Sequence, residues 1–104
     1  MKKKIYISIP IAGLVLKEQK EHAQKIEASL SNFYEVVSPF NNGVDEDEHP
    51  SVHMRADFKM LLECDAIFMC KGWEDSAGCR AEWQVAVSCH MDITYESNQS
   101  KYFK

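Results

Sequence analysis

Glycine and proline are scarce, at four and three in 104 residues. Collagen-like repeats and low-complexity linkers need far more of both, so those classes are excluded. No stretch approaches the roughly 18 consecutive apolar residues of a membrane span. The apolar segment at residues 5–16 is interrupted by Tyr6, Ser8, Pro10 and Gly13, and no small-residue cleavage site follows, so no signal peptide is expected. Positive charge is not in surplus: 12 Lys and Arg stand against 16 Asp and Glu, a formal net charge of −4. A nucleic-acid partner, which needs a basic face, is therefore not expected. Lys2, Lys3 and Lys4 form the one basic run, and they read as a solvated terminus ahead of a strand.

Other absences concern chemistry. The four cysteines, Cys64, Cys70, Cys79 and Cys89, include no C-x-x-C pair, and three sit in apolar segments where a free thiol packs as a small hydrophobe. That is the usage of a reducing compartment, so a cytoplasmic location is expected and a zinc site is not. His49 and His53 fall in a polar stretch, while His22 and His90 stand alone on predicted helices. The Gly-rich phosphate fingerprints G-x-G-x-x-G and G-x-x-x-x-G-K-[ST] are missing, as is the G-x-S-x-G elbow. ATP and dinucleotide enzymes of those classes and Ser-His-Asp hydrolases are disfavoured accordingly.

What remains is an ordinary globular composition, 45% hydrophobic and 27% charged, at a length that buries one core; a single domain over residues 1–104 is expected. Residues 4–9 are rich in β-branched side chains and read as a buried strand, which Pro10 stops and Gly13 turns. A helical stripe of Ala23, Ile26, Ala28 and Leu30 marks a surface helix over residues 17–32. Residues 34–37 form a second short strand, closed by Ser38 and Pro39. Residues 40–52 are polar, and two readings stand side by side: a lid over a site, or a solvated loop. Met54, Phe58, Leu61 and Leu62 give the spacing of a helix over residues 54–63. Residues 65–70 are almost continuously apolar, as in a central strand of a parallel sheet. Ser76 is a good N-cap for a helix over residues 79–89, and residues 91–95 supply a fourth strand. The tail from residue 96 is polar apart from Tyr102 and Phe103. Strands alternating with helices imply an α/β fold with a parallel sheet and helices on both faces. Ligands in such folds bind beyond the carboxyl ends of the strands, which selects residues 10–13, 39–52 and 71–76.

Three features converge on that edge. Glu82 lies about one and a half turns into its predicted helix, where a carboxylate is either dipole decoration or a reacting group. Asp57, placed in the first turn of its predicted helix, and Asp65, at the start of the third strand, are each able to orient sugar hydroxyls or to serve local structure. The turn at residues 72–78 sets Trp73, Asp75 and Ser76 at a strand-to-helix junction whose free N–H groups can hold an anion or a hydroxyl.

These segments together resemble a known group. Residues 4–13 (KIYISIPIAG), 54–57 (MRAD), 64–67 (CDAI) and 72–82 (GWEDSAGCRAE) are similar to the nucleoside 2-deoxyribosyltransferase-like superfamily, in its short DUF4406 branch. The match covers about nine tenths of the chain, and Ser76-x-Gly78-x-x-x-Glu82 is its most specific block. The resemblance implies a flavodoxin-like or Rossmann-like three-layer sandwich and chemistry at the N-glycosidic bond of a nucleoside or nucleotide. It implies Glu82 as the nucleophile of a covalent glycosyl-enzyme and Asp57 as the acid near the sugar or leaving base. Tyr6, Ser8, Pro10, Asp65, Trp73, Ser76 and Gly78 are the implied substrate-binding positions, with Tyr6 beside the nucleophile and Ser76 towards a 5′ phosphate. The chain departs from the pattern at Ile9, which replaces a glycine, and at Ala12, which replaces a basic residue. No metal or organic cofactor is called for, and a homodimer or larger homo-oligomer is implied. Two other classes remain open: a non-catalytic nucleotide or small-molecule binding module using Trp73 and Ser76, and an interaction module presenting the acidic residues 45–48.

Overall fold

The computed structural model describes residues 2–96. The strands are β1 (Lys3–Ser8), β2 (Tyr34–Val37), β3 (Ala66–Met69) and β4 (Asp92–Tyr95), and the helices are α1 (Leu16–Leu30), α2 (Pro50–Leu62) and α3 (Ala77–Ser88). Short 3₁₀ turns at Pro39–Asn41 and Trp73–Asp75 follow β2 and β3. The four strands pair in the order β2-β1-β3-β4, and every pair is parallel. No helix among the described residues is long and apolar enough to cross a membrane.

Chain direction and handedness dictate the layers. The step from β1 to β2 runs one way along the sheet; the next passes back over β1 to β3, and the last continues to β4. Right-handed crossovers then put α1 on one face and α2 with α3 on the other. The packing agrees. Ala23 and Ile26 of α1 bury against Ile7, Ile9 and Cys70. Leu61 of α2, with Cys79 and Ala86 of α3, buries against Tyr6, Ile67 and Met69. The molecule is thus the flavodoxin-like or Rossmann-like three-layer sandwich, with β1 and β3 central. Because β1 is covered on both sides, its polar residues Tyr6 and Ser8 are buried completely, as are Ile5 and Ile7. Alternation along the strand turns Tyr6 and Ser8 to the α2–α3 face.

Three local readings are corrected. Helix α2 begins at Pro50, four residues before the apolar periodicity starts. His49 caps it, its Nδ1 accepting from the Ser51 N–H at 3.1 Å, and Pro50 fits the first turn because no hydrogen bond is asked of its nitrogen there. His53 is therefore a helical residue, and Asp57 sits two turns into α2, beyond reach of the first-turn dipole account. His90 is not on a helix. It follows α3 in the left-handed region at φ 56°. Its N–H bonds the carbonyl of Val87 at 3.2 Å and that of Met91 bonds Ala86 at 2.9 Å, the paired closure of a Schellman motif. The tail beyond Glu96, including Tyr102 and Phe103, lies outside the described residues.

Candidate active site

Ser76 fixes where α3 starts. Its Oγ accepts from the Cys79 N–H at 3.2 Å, and Glu82 follows as the sixth residue of the helix. That spacing returns the Glu82 side chain over β1, where it is only 4% exposed. Two hydroxyls from β1 share its carboxylate. Tyr6 donates to Oε2 at 2.7 Å and Ser8 donates to Oε1 at 2.7 Å. Burial raises the Glu82 pKa to about 7; the hydrogen bonds from Ser8 and Tyr6 restrain the rise and the nearby Asp57 charge adds to it. The Tyr6 phenol is pushed well above its ordinary value by burial and by the Glu82 charge, so it acts as a donor.

Asp57 arrives from α2 and is also buried. Its Oδ1 accepts from Nδ2 of Asn42 at 2.9 Å. Asn42 is itself fixed, for its Oδ1 accepts from the Val44 N–H at 2.9 Å and its Nδ2 lies 3.1 Å from Nδ1 of His53. Burial raises the Asp57 pKa, opposed by the Asn42 hydrogen bond and by His53.

Both carboxylates open onto one cavity of about 530 Å³, a size that holds a small-molecule ligand. Tyr6 and the start of α3 from Ser76 to Cys79 line it beside them. Ile9, Ile11, Ala12 and Leu16 form an apolar wall, and Met54 adds to it from α2. The polar segment contributes Phe40, Asn42, Val44, Glu46, Glu48 and Pro50, so those residues border the cavity and are not merely a solvated excursion. Lys20 of α1 reaches Glu46 across the mouth in an ion pair.

Of the expected site residues, Glu82, Asp57, Tyr6, Ser76 and Gly78 line the cavity, and Ser8 touches it only through Glu82. Three others lie off the lining. Asp65 stands at the amino end of β3, the end away from the cavity, and accepts from the Lys4 N–H at 3.0 Å; it ties two strands together. Trp73 stacks on Trp83 with ring centroids 5.5 Å apart and leans on Tyr95 outside the cavity. Pro10 lies beside Gly72 in the turn, not on the lining. Asn42, His53 and Lys20 were not foreseen. Asn42 carries only a turn signal in sequence, and His53 precedes the apolar periodicity that marks α2. Among the described residues, one set able to hold a cation lies elsewhere: donor atoms of His22, Cys70 and Glu96 fall within 4.8 Å of one another. The 2.8 Å pair between His22 and Glu96 and the Lys71 N–H on Glu96 account for that grouping without an ion.

Comparison with known proteins follows this geometry. The fold superposes on a 2-deoxyribosyltransferase from the psychrotolerant bacterium Bacillus psychrosaccharolyticus at TM-score 0.67, with 21% identity over 88% of this chain and 70% of that one. A 2-deoxyribosyltransferase from Leishmania mexicana gives TM-score 0.70 and 18% identity, covering 89% of this chain and 63% of that one. A conserved protein from Enterococcus faecalis V583 gives 0.66 and 20%, over 95% and 67%. At such identities the likeness is one of fold. No curated protein matches the chain. Residues 3–95 match the model of DUF4406, described as a domain of unknown function. The chain therefore belongs to the DUF4406 family.

Proposed function

We propose that the protein cleaves or transfers the N-glycosidic bond of a nucleoside or nucleotide through a covalent glycosyl-enzyme on Glu82. One observation carries this reading: a buried carboxylate faces a ligand-sized cavity with one hydroxyl donor on each oxygen and a second carboxyl group on the same lining. Two fixed donors hold the attacking group in one orientation and favour its ionised form. With a pKa of about 7, a large share of Glu82 is ionised at neutral pH, and Tyr6 and Ser8 act as positioning residues.

In the first step an Oε atom of ionised Glu82 attacks C1′ of the sugar. The bond from C1′ to the base nitrogen breaks, and its electron pair leaves with the base. Asp57, whose pKa burial raises, supplies the proton the base requires. Water, or a nitrogen of a second base, then attacks C1′, the ester to Glu82 breaks, and Asp57 takes up the proton released. Hydrolysis and transfer differ only in that acceptor. The Ala77 and Gly78 N–H groups at the start of α3 offer donors to sugar oxygens, and Ser76 borders them. A homodimer or larger homo-oligomer belongs to the same proposal, and light scattering of the purified protein tests it.

A second reading is a module that binds the same ligands without chemistry. It is favoured by the complete pairing of the Glu82 oxygens with hydroxyls, which also serves a structural role. Chromatography of reactions with a panel of nucleosides and 5′-nucleotides separates the two. Free base from wild type but not from Glu82→Ala supports catalysis; release that persists in the variant removes Glu82 as nucleophile. A rise in melting temperature without release transfers the case to the binding module.

A further inference from the structure

We propose that the cavity selects nucleosides and rejects their 5′-phosphates, an inference that rests on the N-glycosidic reading above. The charge of the lining carries it. Four carboxyl groups, Glu46, Glu48, Asp57 and Glu82, face the space, against one ammonium, Lys20, and one imidazole, His53. Lys20 is already ion-paired with Glu46. His53 is engaged through Nδ1, which faces the Asn42 amide at 3.1 Å beside Asp57. Arg80 donates to the Glu74 carbonyl at 2.9 Å, and neither it nor Arg55, each adjacent in sequence to a lining residue, lines the cavity. No arginine lines it among the described residues.

A phosphate dianion entering this compartment meets the Glu48 carboxylate and the ionised form of Glu82, and no guanidinium fork to offset its desolvation. At the start of α3 the Cys79 N–H is already taken by Ser76, which leaves the N–H groups of Ala77 and Gly78 as neutral donors. A ribose or deoxyribose 5′-hydroxyl carries no such penalty. It can donate to the same carboxylates that repel a phosphate. The apolar wall of Ile9, Ile11 and Leu16 suits the face of a base. Discrimination thus arises from repulsion in the wrong complex as much as from attraction in the right one.

The test compares 2′-deoxyadenosine, thymidine, adenosine and uridine with their 5′-monophosphates, reading kcat/KM for base release and the shift in melting temperature. At least tenfold preference for a nucleoside over its own monophosphate is expected, narrowing in Glu48→Lys and at high salt, where like-charge repulsion is screened. Equal rates, or faster release from monophosphates, both lost in Glu82→Gln, overturn this inference and leave the glycosidic reading standing. Melting shifts from nucleosides alone, without release, support the selectivity and remove the catalysis. Shifts from monophosphates alone, or no shift and no release from any compound, overturn both.

Discussion

Two hydroxyls divide the oxygens of the Glu82 carboxylate between them, and that arrangement sets the residue's pH response. In the proposed mechanism the reacting form is the anion. A pH profile of kcat/KM should therefore rise as Glu82 ionises, with its pKa of about 7, and fall again as Asp57 loses the proton it supplies. Tyr6→Phe removes one donor to the anion, so the rising limb should move to higher pH; a purely structural role for Tyr6 would lower the rate without moving the limb. Glu82→Gln keeps the shape but removes the proposed nucleophile, and release should fall by at least about a thousandfold. At this scale the sequence was legible in part. Spacing placed Glu82 beside the crevice, yet a carboxylate near a helix start has an equally good electrostatic account, and only the resemblance singled it out. Asp57 stands out in its motif, but the apolar pattern assigns it to the first turn of a helix whose second turn it ends. Asn42 was not legible, because its bond to Asp57 joins residues 15 apart through a turn that composition alone leaves open. Asp65, Trp73 and Pro10 share the motif blocks of true lining residues, and sequence adjacency does not say which end of a strand a side chain occupies.

Helix α3 carries Glu82, so its ends decide how firmly that group is held. The Ser76 hydroxyl satisfies the Cys79 N–H, and Ser76→Ala should cost about 1 kcal/mol in urea unfolding. Because the same cap fixes the register of Glu82 over β1, the variant should also lose activity beyond its loss of stability. The other end behaves in the opposite sense. His90 occupies a left-handed position that glycine adopts without a Cβ penalty, and its side chain is exposed. His90→Gly should therefore stabilise the protein by roughly 0.5–1 kcal/mol, measured by the same unfolding curve. The elements themselves were readable where apolar pattern dominates: β2 lies at the expected residues 34–37, and β1, β3 and α3 differ by one or two residues at their ends. The start of α2 is not legible because its first turn, Pro50, Ser51, Val52 and His53, has the polarity of the loop before it. A helix start written in capping chemistry is invisible to a search for periodic hydrophobes.

The whole molecule folds around two carboxyl groups that burial holds closer to neutrality than water would. Their common cause is the topology: reversal of strand order over β1 brings α2 and α3 to the same face, and each contributes an acid to the space between. Parallel order and layer arrangement followed from the alternation of elements, whereas the union of Asp57 with Glu82 needed the folded chain. Folding and chemistry then make opposing demands on pH. For Glu82 the folded pKa, about 7, lies above the ordinary 4.5, so the native state binds more protons than the unfolded chain between those values. Its contribution to stability is complete below pH 4.5 and is lost as pH rises through 7; Asp57, raised in the same direction, adds to the trend above its ordinary 3.8. The Glu82 share is on the order of 3 kcal/mol by pH 8. Glu82→Gln cannot ionise, and its amide can still pair with both hydroxyls. The variant should accordingly melt higher than wild type at pH 8 and lose that advantage towards pH 5, in parallel thermal scans across the range. A constant difference at all pH values would mean that Glu82 is ionised throughout and that burial does not set its charge. A difference confined to high pH would identify the conflict expected of a nucleophile: the form that reacts is the form the fold holds less well.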